Sequence, residues 1–237
     1  MNILAIETST PASSVALGTD NALLAMSLQV DRRGHVGFLA KAMEYCFEQV
    51  GWTPGELDAI VVDVGPGLFT GLRAGLASAQ GVAAATGAQL LGLSSLDALA
   101  FRASTGRRTI WPVVDIRRNE VATAPYRPVP GGVIRDGAPE VVTPKGLAGL
   151  LDATADDSLV VGDHQALPEG ALRGLHRVKV GRPRWPSADV LLQLAAAQMA
   201  KGDLRAPDDV RPLYLREPDA TINWQDYRQE ADWPDQP

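Results

Sequence analysis

The sequence has little of what disulfide-bonded, zinc-binding or membrane-spanning proteins need. Cys46 is the single cysteine among 237 residues, so an internal disulfide and zinc sites with two or four cysteines are excluded. No apolar run approaches the ~20 residues that cross a bilayer, and the first apolar run has no basic residues before it. Aromatic residues make up 5% of the chain. We therefore expect a cytoplasmic globular protein whose core is built from Ala, Val and Leu.

The chain is also short of positive charge. Its formal net charge is -6, and an acidic protein is poorly suited to hold tRNA alone, because affinity for phosphates depends on Lys and Arg. Arginine pairs stand at 32–33, 107–108 and 117–118. Pairs this short are typical of solvated surface, so they do not by themselves predict an RNA site.

The first half of the chain predicts an antiparallel meander followed by alternating helices and strands. Apolar segments at 2–8, 13–18 and 23–30 are separated by turn residues. Apolar residues then recur every three or four positions from 35 to 50, which predicts a helix that ends at Gly51. Further strands (59–64, 90–93) and helices (69–86, 95–102) follow. This order is typical of an α/β fold with a mixed sheet.

The second half predicts a smaller α/β unit. Segments 109–116 and 120–126 suggest a hairpin, and 127–140 is a looser region rich in Pro and Gly. Helices are predicted at 143–151 and 187–201, with a short strand at 159–161. We expect a first lobe at 1–104, a second lobe at 105–216 and a tail at 217–237.

The first motif of interest is the turn that contains Glu7, Thr8 and Ser9. Hydroxyls and turn amides can bind phosphate oxygens, and a carboxylate can hold a magnesium ion through water. Small hydroxyl residues in turns more often cap the local backbone. Asp63, at the end of another apolar run, has the same two interpretations, as a remnant of a nucleotide site or as a hydrogen-bonded carboxylate at a strand end.

The second motif spans residues 65–75, in which glycines lead from a strand into a helix. Gly65 and Gly67 permit a tight turn, and the free amides of the next helix could bind phosphate. The segment lacks the lysine of a P-loop and does not match G-x-G-x-x-G. One side of the helix carries small residues: Gly71, Ala74, Gly75, Ser78 and Ala79. Their spacing suits either a partner helix or the protein's own sheet.

Several segments together resemble the TsaB (YeaZ) family. They are AIETSTPASSVAL near the start, RRGH before the first helix, VGPGLFTGLRAGLA, LLGLSSLDALA and the late PLYLR. The resemblance implies the α/β fold shared by actin, sugar kinases and heat-shock chaperones (ASKHA), with two related lobes of which the second is reduced.

The resemblance further implies a non-catalytic scaffold, or dimerization, subunit. Such a protein pairs with the TsaD-type transferase and the TsaE-type ATPase, and pairs with itself when alone. The assembly forms N6-threonylcarbamoyladenosine at position 37 of tRNAs that read ANN codons. The tRNA would be contacted mainly through the complex, and no cofactor, metal or membrane is implied for this subunit.

The partner surface that the resemblance implies lies on the helices predicted at 35–50 and 69–86. Its residues are His35, Leu39, Met43, Phe47, Phe69, Leu72, Arg73 and Leu76. For His35 a surface or capping role is the alternative. Glutamate in place of Leu72 or Leu76 is expected to disrupt pairing, because it would bury an unpaired charge. Glu7, Thr8, Ser9, Gly65 and Gly67 would be a vestigial nucleotide site.

Two catalytic functions are the alternatives. TsaD-like chains carry a metal-binding HxxxH pair, whereas the three histidines here are never four residues apart. An ATP-dependent phosphotransferase of the same fold would need a Gly-Gly pair leading a helix, but Gly131-Gly132 precedes a segment typical of a strand or loop. A peptidase is disfavoured because no Ser-His-Asp set can be identified.

Overall fold

Two mixed β-sheets with helices on their faces form the molecule, as seen in a computed structural model that describes residues 1–31, 34–182, 184–199 and 209–215. The arginine pair at 32–33, Arg216 and the tail predicted at 217–237 lie outside these residues. Within the described part of the chain, no helix is both long and apolar enough to cross a bilayer.

The first sheet has five strands in the order β3-β2-β1-β4-β5. Their bounds are β1 (Asn2–Glu7), β2 (Ala12–Thr19), β3 (Leu23–Val30), β4 (Ala59–Gly65) and β5 (Gln89–Ser94). β1, β2 and β3 pair antiparallel, which confirms the predicted meander, and β4 and β5 continue parallel to β1. β1 and β4 are continuous apolar runs because helices cover both faces of the sheet.

Two long helices cover one face of this sheet. They are α1 (His35–Val50) and α2 (Phe69–Thr86), and each ends at a glycine with positive φ, Gly51 and Gly87. Both begin at the edge of the sheet where β1 and β4 end, so they run side by side in the same direction. The bounds predicted for both helices are confirmed.

The second sheet has more strands than the sequence predicts, and most of them are short. Its strands are β6 (Thr109–Asp115), β7 (Val121–Thr123), β8 (Tyr126–Val129), β9 (Gly132–Arg135), β10 (Glu140–Val142), β11 (Ser158–Gly162) and β12 (Val178–Val180). The predicted hairpin partner at 120–126 is divided between β7 and β8, which pair with different ends of β6. The region predicted to be loose contains the β8–β9 hairpin. Strands of three or four residues are too short to show a period of two.

A layer of helices joins the two sheets. α3 (Ser95–Arg102) lies between them, with Leu96 and Leu99 against the second sheet and Ala98 against the first. α5 (Ala188–Met199) packs beside α3 on the first sheet, and α4 (Pro144–Ala153) covers the far face of the second. The predicted lobe boundaries stay a prediction, but α5 belongs to the core of the first sheet.

The described C-terminal segment, residues 209–215, also returns to the first sheet. The amide of Leu213 donates to the carbonyl of Val64 at 2.7 Å, and the side chain of Val210 is buried in the core beneath α2. Strand β4 therefore gains a neighbour that comes from the far end of the chain.

The start of α2 lies unusually close to the turn between β1 and β2. A Cβ at Gly71 would overlap the carbonyl oxygen of Thr8, one at Gly67 would overlap the carbonyl of Ser9, and one at Gly75 would overlap the Thr8 hydroxyl. The hydroxyl of Thr8 in turn donates to the carbonyl of Gly71 at 2.8 Å. Three glycines, each four residues after the last, thus allow the helix to pack against backbone.

This contact predicts opposite effects for two alanine substitutions in the same helix. Gly71→Ala would force α2 away from the turn, so we expect the free energy of unfolding to fall by about 2–4 kcal/mol. Gly81→Ala is the matched control, because a Cβ there meets no atom within 4 Å. It should raise the free energy of unfolding by about 0.5–1 kcal/mol through helix propensity. Urea unfolding measures both, and equal effects would contradict the packing argument.

Candidate functional site

Two buried carboxylates meet beneath the turn between β1 and β2. The hydroxyl of Ser9 lies 2.6 Å from Glu7 Oε1 and 3.1 Å from Asp63 Oδ2. The amide of Ser9 donates to Glu7 Oε1, and the amide of Gly65 donates to Asp63 Oδ1 at 2.6 Å. Glu7, Ser9 and Asp63 are each fully buried. The end of β1 is therefore linked through one serine to the end of β4.

This arrangement holds a proton. The single hydroxyl hydrogen of Ser9 can serve only one of the two carboxylates, so the second contact is favourable when Asp63 Oδ2 is protonated and donates to Ser9. Burial raises the pKa of Asp63 to about 7, although hydrogen bonds from Gly65 and Ser9 oppose the shift. Burial, followed by the charge of Asp63, raises the pKa of Glu7 well above its ordinary range.

His35 is the first residue of α1, and it lies inside the protein. Its Nδ1 is 2.6 Å from the Ser13 hydroxyl, and its Nε2 is buried beside Gly71 with no hydrogen-bond partner among the described residues. Burial lowers the pKa of His35, with Asp31 opposing that shift, so the imidazole is mainly neutral at pH 7. Ser13 is buried as well, so its hydroxyl is closed to a substrate.

Half of the predicted partner-contact residues are buried within the chain itself. His35, Leu39, Leu72 and Leu76 are only 5%, 2%, 1% and 7% exposed, because they point from α1 and α2 into the core of the first sheet. These side chains offer little surface to a partner, and partner contact by them stays a prediction. A glutamate at Leu72 or Leu76 would disrupt the fold itself, so the pairing test first suggested by the sequence would be ambiguous.

The other four predicted residues lie nearer the surface. Met43 and Phe47 are partly buried against the core, whereas Phe69 is 46% exposed and Arg73 is exposed. Partner contact by these four stays a prediction.

The small residues of α2 are divided between a buried and a partly exposed side of the helix. Gly71, Gly75 and Ala79 face the protein's own sheet, whereas Ala74 and Ser78 are partly exposed.

The outward face of α2 is formed mainly by small and apolar side chains. It consists of Phe69, Thr70, Arg73, Ala77, Gly81, Ala84 and Ala85. A helix that faces water normally carries many charged residues, yet Arg73 is the one charged residue in this set. On α1, Val36 (70% exposed) and Ala40 are also uncharged, whereas the exposed residues further along include Lys and Glu at 41, 44 and 48. We call the α2 set together with Val36 and Ala40 the smooth surface.

An aromatic cluster that the sequence analysis missed borders the smooth surface. Tyr214 stacks on Phe69 with ring centroids 5.5 Å apart, and the guanidinium of Arg73 lies 3.8 Å from the centroid of Phe69. Arg73 Nε also donates to the Tyr214 hydroxyl at 3.0 Å. The late PLYLR motif contained this tyrosine, but nothing in its local sequence indicated that it returns to α2.

The residues predicted to bind nucleotide are packed against one another inside the protein. Glu7, Thr8 and Ser9 are buried, and Gly67 approaches the Ser9 carbonyl too closely to admit a side chain. Gly65 has a φ of 101° and is itself buried. This geometry favours a structural role for the turn, and nucleotide binding by these residues stays a prediction.

Comparison with known proteins agrees with this architecture. Residues 29–151 match the family model described as TsaD, tRNA N6-adenosine threonylcarbamoyltransferase. The tRNA threonylcarbamoyladenosine biosynthesis protein TsaB of Escherichia coli is 30% identical over 221 residues, which cover 91% of this chain and 95% of that protein. The chain belongs to the TsaB (YeaZ) family. The family predicted from the sequence is thus confirmed.

Other TsaB-like proteins match over a similar extent. An uncharacterized protein of Mycobacterium tuberculosis is 36% identical over 223 residues, 92% of this chain and 93% of the relative. The solved structure of YeaZ from Pseudomonas aeruginosa superposes with a TM-score of 0.77 at 26% identity, and the match covers 90% of this chain and 100% of YeaZ. The predicted α/β fold with a mixed sheet is confirmed, and it is the fold of YeaZ.

The shared proton predicts that this TsaB-family chain loses stability as pH rises from acid to neutral. An unfolded aspartate titrates near pH 4, so between about pH 4 and pH 7 the folded chain holds a proton on Asp63 that the unfolded chain has lost. The free energy of unfolding should therefore fall across this range, by at most about 1.4 kcal/mol per pH unit for each proton, and the contribution of Asp63 should level off above pH 7. Thermal unfolding from pH 5 to pH 8.5 measures this slope.

Asp63→Asn should remove much of this dependence. An asparagine can accept from the Gly65 amide and donate to Ser9, as the protonated acid does. Asp115→Asn is the matched control, because Asp115 ends β6 but is partly exposed and pairs with Arg117. An unchanged pH slope in Asp63→Asn would contradict the shared proton, whereas the control should keep the slope of the unmodified chain.

Proposed function

We propose that this chain is a non-catalytic scaffold, or dimerization, subunit of the complex that forms N6-threonylcarbamoyladenosine at position 37 of ANN-reading tRNAs. Its similarity to E. coli TsaB supports a role in the biosynthesis of this nucleoside. The match of residues 29–151 to the TsaD family model supports a common ancestry with the transferase. The subunit binds and activates a TsaD-type transferase, works with a TsaE-type ATPase, and pairs with itself when alone.

The smooth surface is the observation that carries this proposal. Ala77, Gly81 and Ala84 follow one another on the exposed side of α2, where they offer neither long side chains nor charge. Small residues at this spacing allow the backbone of another helix to approach closely, and in water the exposed Val36 and Phe69 add a hydrophobic driving force. A partner with a similar helix pair fits this surface, and a related transferase or a second copy would each supply one.

Two features favour a scaffold over an enzyme. The chain has three histidines and no HxxxH pair, so it cannot form the metal site typical of TsaD-like chains. The turn that would face nucleotide phosphates in a phosphotransferase is buried beneath α2. Activation of the transferase would therefore come from binding, not from chemistry on this chain.

Reconstitution tests the function directly. The cognate TsaD-type transferase, the TsaE-type ATPase, the enzyme that forms the threonylcarbamoyl adenylate and tRNA are combined with and without this chain. We expect modified tRNA only when the chain is present, and no turnover of ATP or the adenylate by the chain alone. Equal modification without the chain would overturn the proposal, and ATP-dependent phosphotransfer by the isolated protein would support the alternative enzyme.

The smooth surface can be tested without disturbing the core. Ala77 is exposed, so Ala77→Arg should leave the free energy of unfolding nearly unchanged. In a complex the arginine would bury a charge and fill the space a partner helix needs, so we expect affinity for the transferase and for a second copy to fall by about tenfold or more. Calorimetry and analytical ultracentrifugation measure the two affinities.

The control for this variant is Ala197→Arg. Ala197 is an exposed alanine on α5, on the opposite side of the first sheet, so the same change of size and charge is made away from the smooth surface. It should bind partners as the unmodified chain does. If Ala77→Arg binds equally well, the partner surface lies elsewhere.

A further inference from the structure

A long acid-free segment stands out in this acidic protein. Between Glu169 and Asp189 the sequence has no aspartate or glutamate, although the chain as a whole carries a net charge of -6. The same segment contains Arg173, His176, Arg177, Lys179, Arg182 and Arg184. Its basic residues are spaced one to three positions apart and no two arginines are adjacent, so a search for arginine pairs does not reveal it.

The fold places this segment along one open edge of the second sheet. Strand β12 ends the strand order β10-β7-β6-β11-β12, and among the described residues it pairs with β11 alone. Arg173 and His176 precede the strand, Lys179 lies within it and Arg182 follows it, and all four are exposed. We call residues 173–184 the basic edge.

Neighbouring residues change the charge of the basic edge. One further arginine lies beside it, and two aspartates neutralise part of its positive charge. Arg108 Nη1 donates to the carbonyl of Arg177 at 3.0 Å, although Arg108 also pairs with Asp157 at 3.1 Å. At the other end Arg184 lies 3.7 Å from the buried carboxylate of Asp163.

Three exposed cations of the basic edge keep their charge available. Arg173, Lys179 and Arg182 form no ion pair within the described part of the chain. Val180 is the exposed large hydrophobic residue of the segment. Trp185, just beyond it, is partly covered by the guanidinium of Arg184, 4.3 Å from the ring centroid. An interface with an acidic protein usually has an apolar centre, and the basic edge offers little of one.

We propose that the basic edge binds the phosphate backbone of structured RNA, which under the proposed function is the tRNA substrate. Phosphate neutralisation by Lys and Arg provides most of the affinity of such contacts, and it orients the nucleic acid without reading its sequence. Lys179 lies within β12 and Arg182 follows the strand two residues after its end, so these two exposed cations succeed one another along the same edge of the sheet. The subunit would thus hold tRNA at a distance from the smooth surface, which stays free for the transferase.

The test compares two triple variants of the full chain in complex with its TsaD-type transferase. Arg173→Gln/Lys179→Gln/Arg182→Gln removes the unpaired charges of the basic edge. Arg118→Gln/Arg127→Gln/Lys145→Gln removes the same charge from exposed residues elsewhere on the second lobe. Fluorescence anisotropy of labelled tRNA measures the dissociation constant of each complex at salt concentrations from about 50 to 300 mM.

We expect the basic-edge variant to bind tRNA about tenfold more weakly at low salt, and the control variant to bind nearly as the unmodified complex does. The slope of log affinity against log salt should become shallower by about 2 to 3, since each lost phosphate contact removes about 0.7 to 0.9. Equal slopes and affinities in the two variants would overturn the proposal.

Two further outcomes separate this proposal from others. Weaker binding of the basic-edge variant to the transferase or the ATPase, with unchanged tRNA binding, would assign the edge to an acidic protein and overturn the RNA contact. The proposed function is tested separately, by reconstitution. It fails if tRNA is modified equally well when the unmodified chain is left out. A basic-edge variant that binds tRNA normally while modification still requires the chain overturns the basic edge alone.

Discussion

The contact between the start of α2 and the turn after β1 is the constraint on which the rest of the first lobe depends. Gly67, Gly71 and Gly75 bring the helix against the backbone of Thr8 and Ser9. That approach closes the turn to solvent, and it also fixes the rotation of α2. Because the glycine side of the helix faces inward, the alanine side must face outward. One packing contact thus determines both the buried carboxylates and the smooth surface.

The sequence predicted the elements of the first lobe well, because its strands and helices are long enough for periodicity to show. It did not predict which side of α2 is buried. Both sides carry small residues, and only Thr8 and Ser9, more than fifty residues earlier, decide between them. Leu72 and Leu76, which the family resemblance assigned to the partner surface, lie on the buried side. Similarly, Tyr214 reaches Phe69 through a long-range contact that no local pattern encodes.

The buried pair of Glu7 and Asp63 shows how an ionisable site can be kept for structural reasons. Two acids beneath a helix start would be costly if both were charged, and a proton shared through Ser9 avoids that cost. The sequence identified Glu7 as a candidate because it precedes small hydroxyl residues in a turn, and Asp63 because it lies near the end of an apolar run. It could not bring them together, since the link is a parallel pairing of β1 with β4 across more than fifty residues.

The return of the C-terminal segments to the first sheet has a consequence for synthesis on the ribosome. Strands β1 to β5 emerge within the first hundred residues, but α5 and Val210, which complete the two faces of their sheet, emerge about a hundred residues later. Domains generally fold from the N-terminus as they are made. Here the earliest sheet stays partly uncovered until α5 and Val210 have been synthesised, so the nascent chain displays apolar strands that chaperones or an early partner would bind.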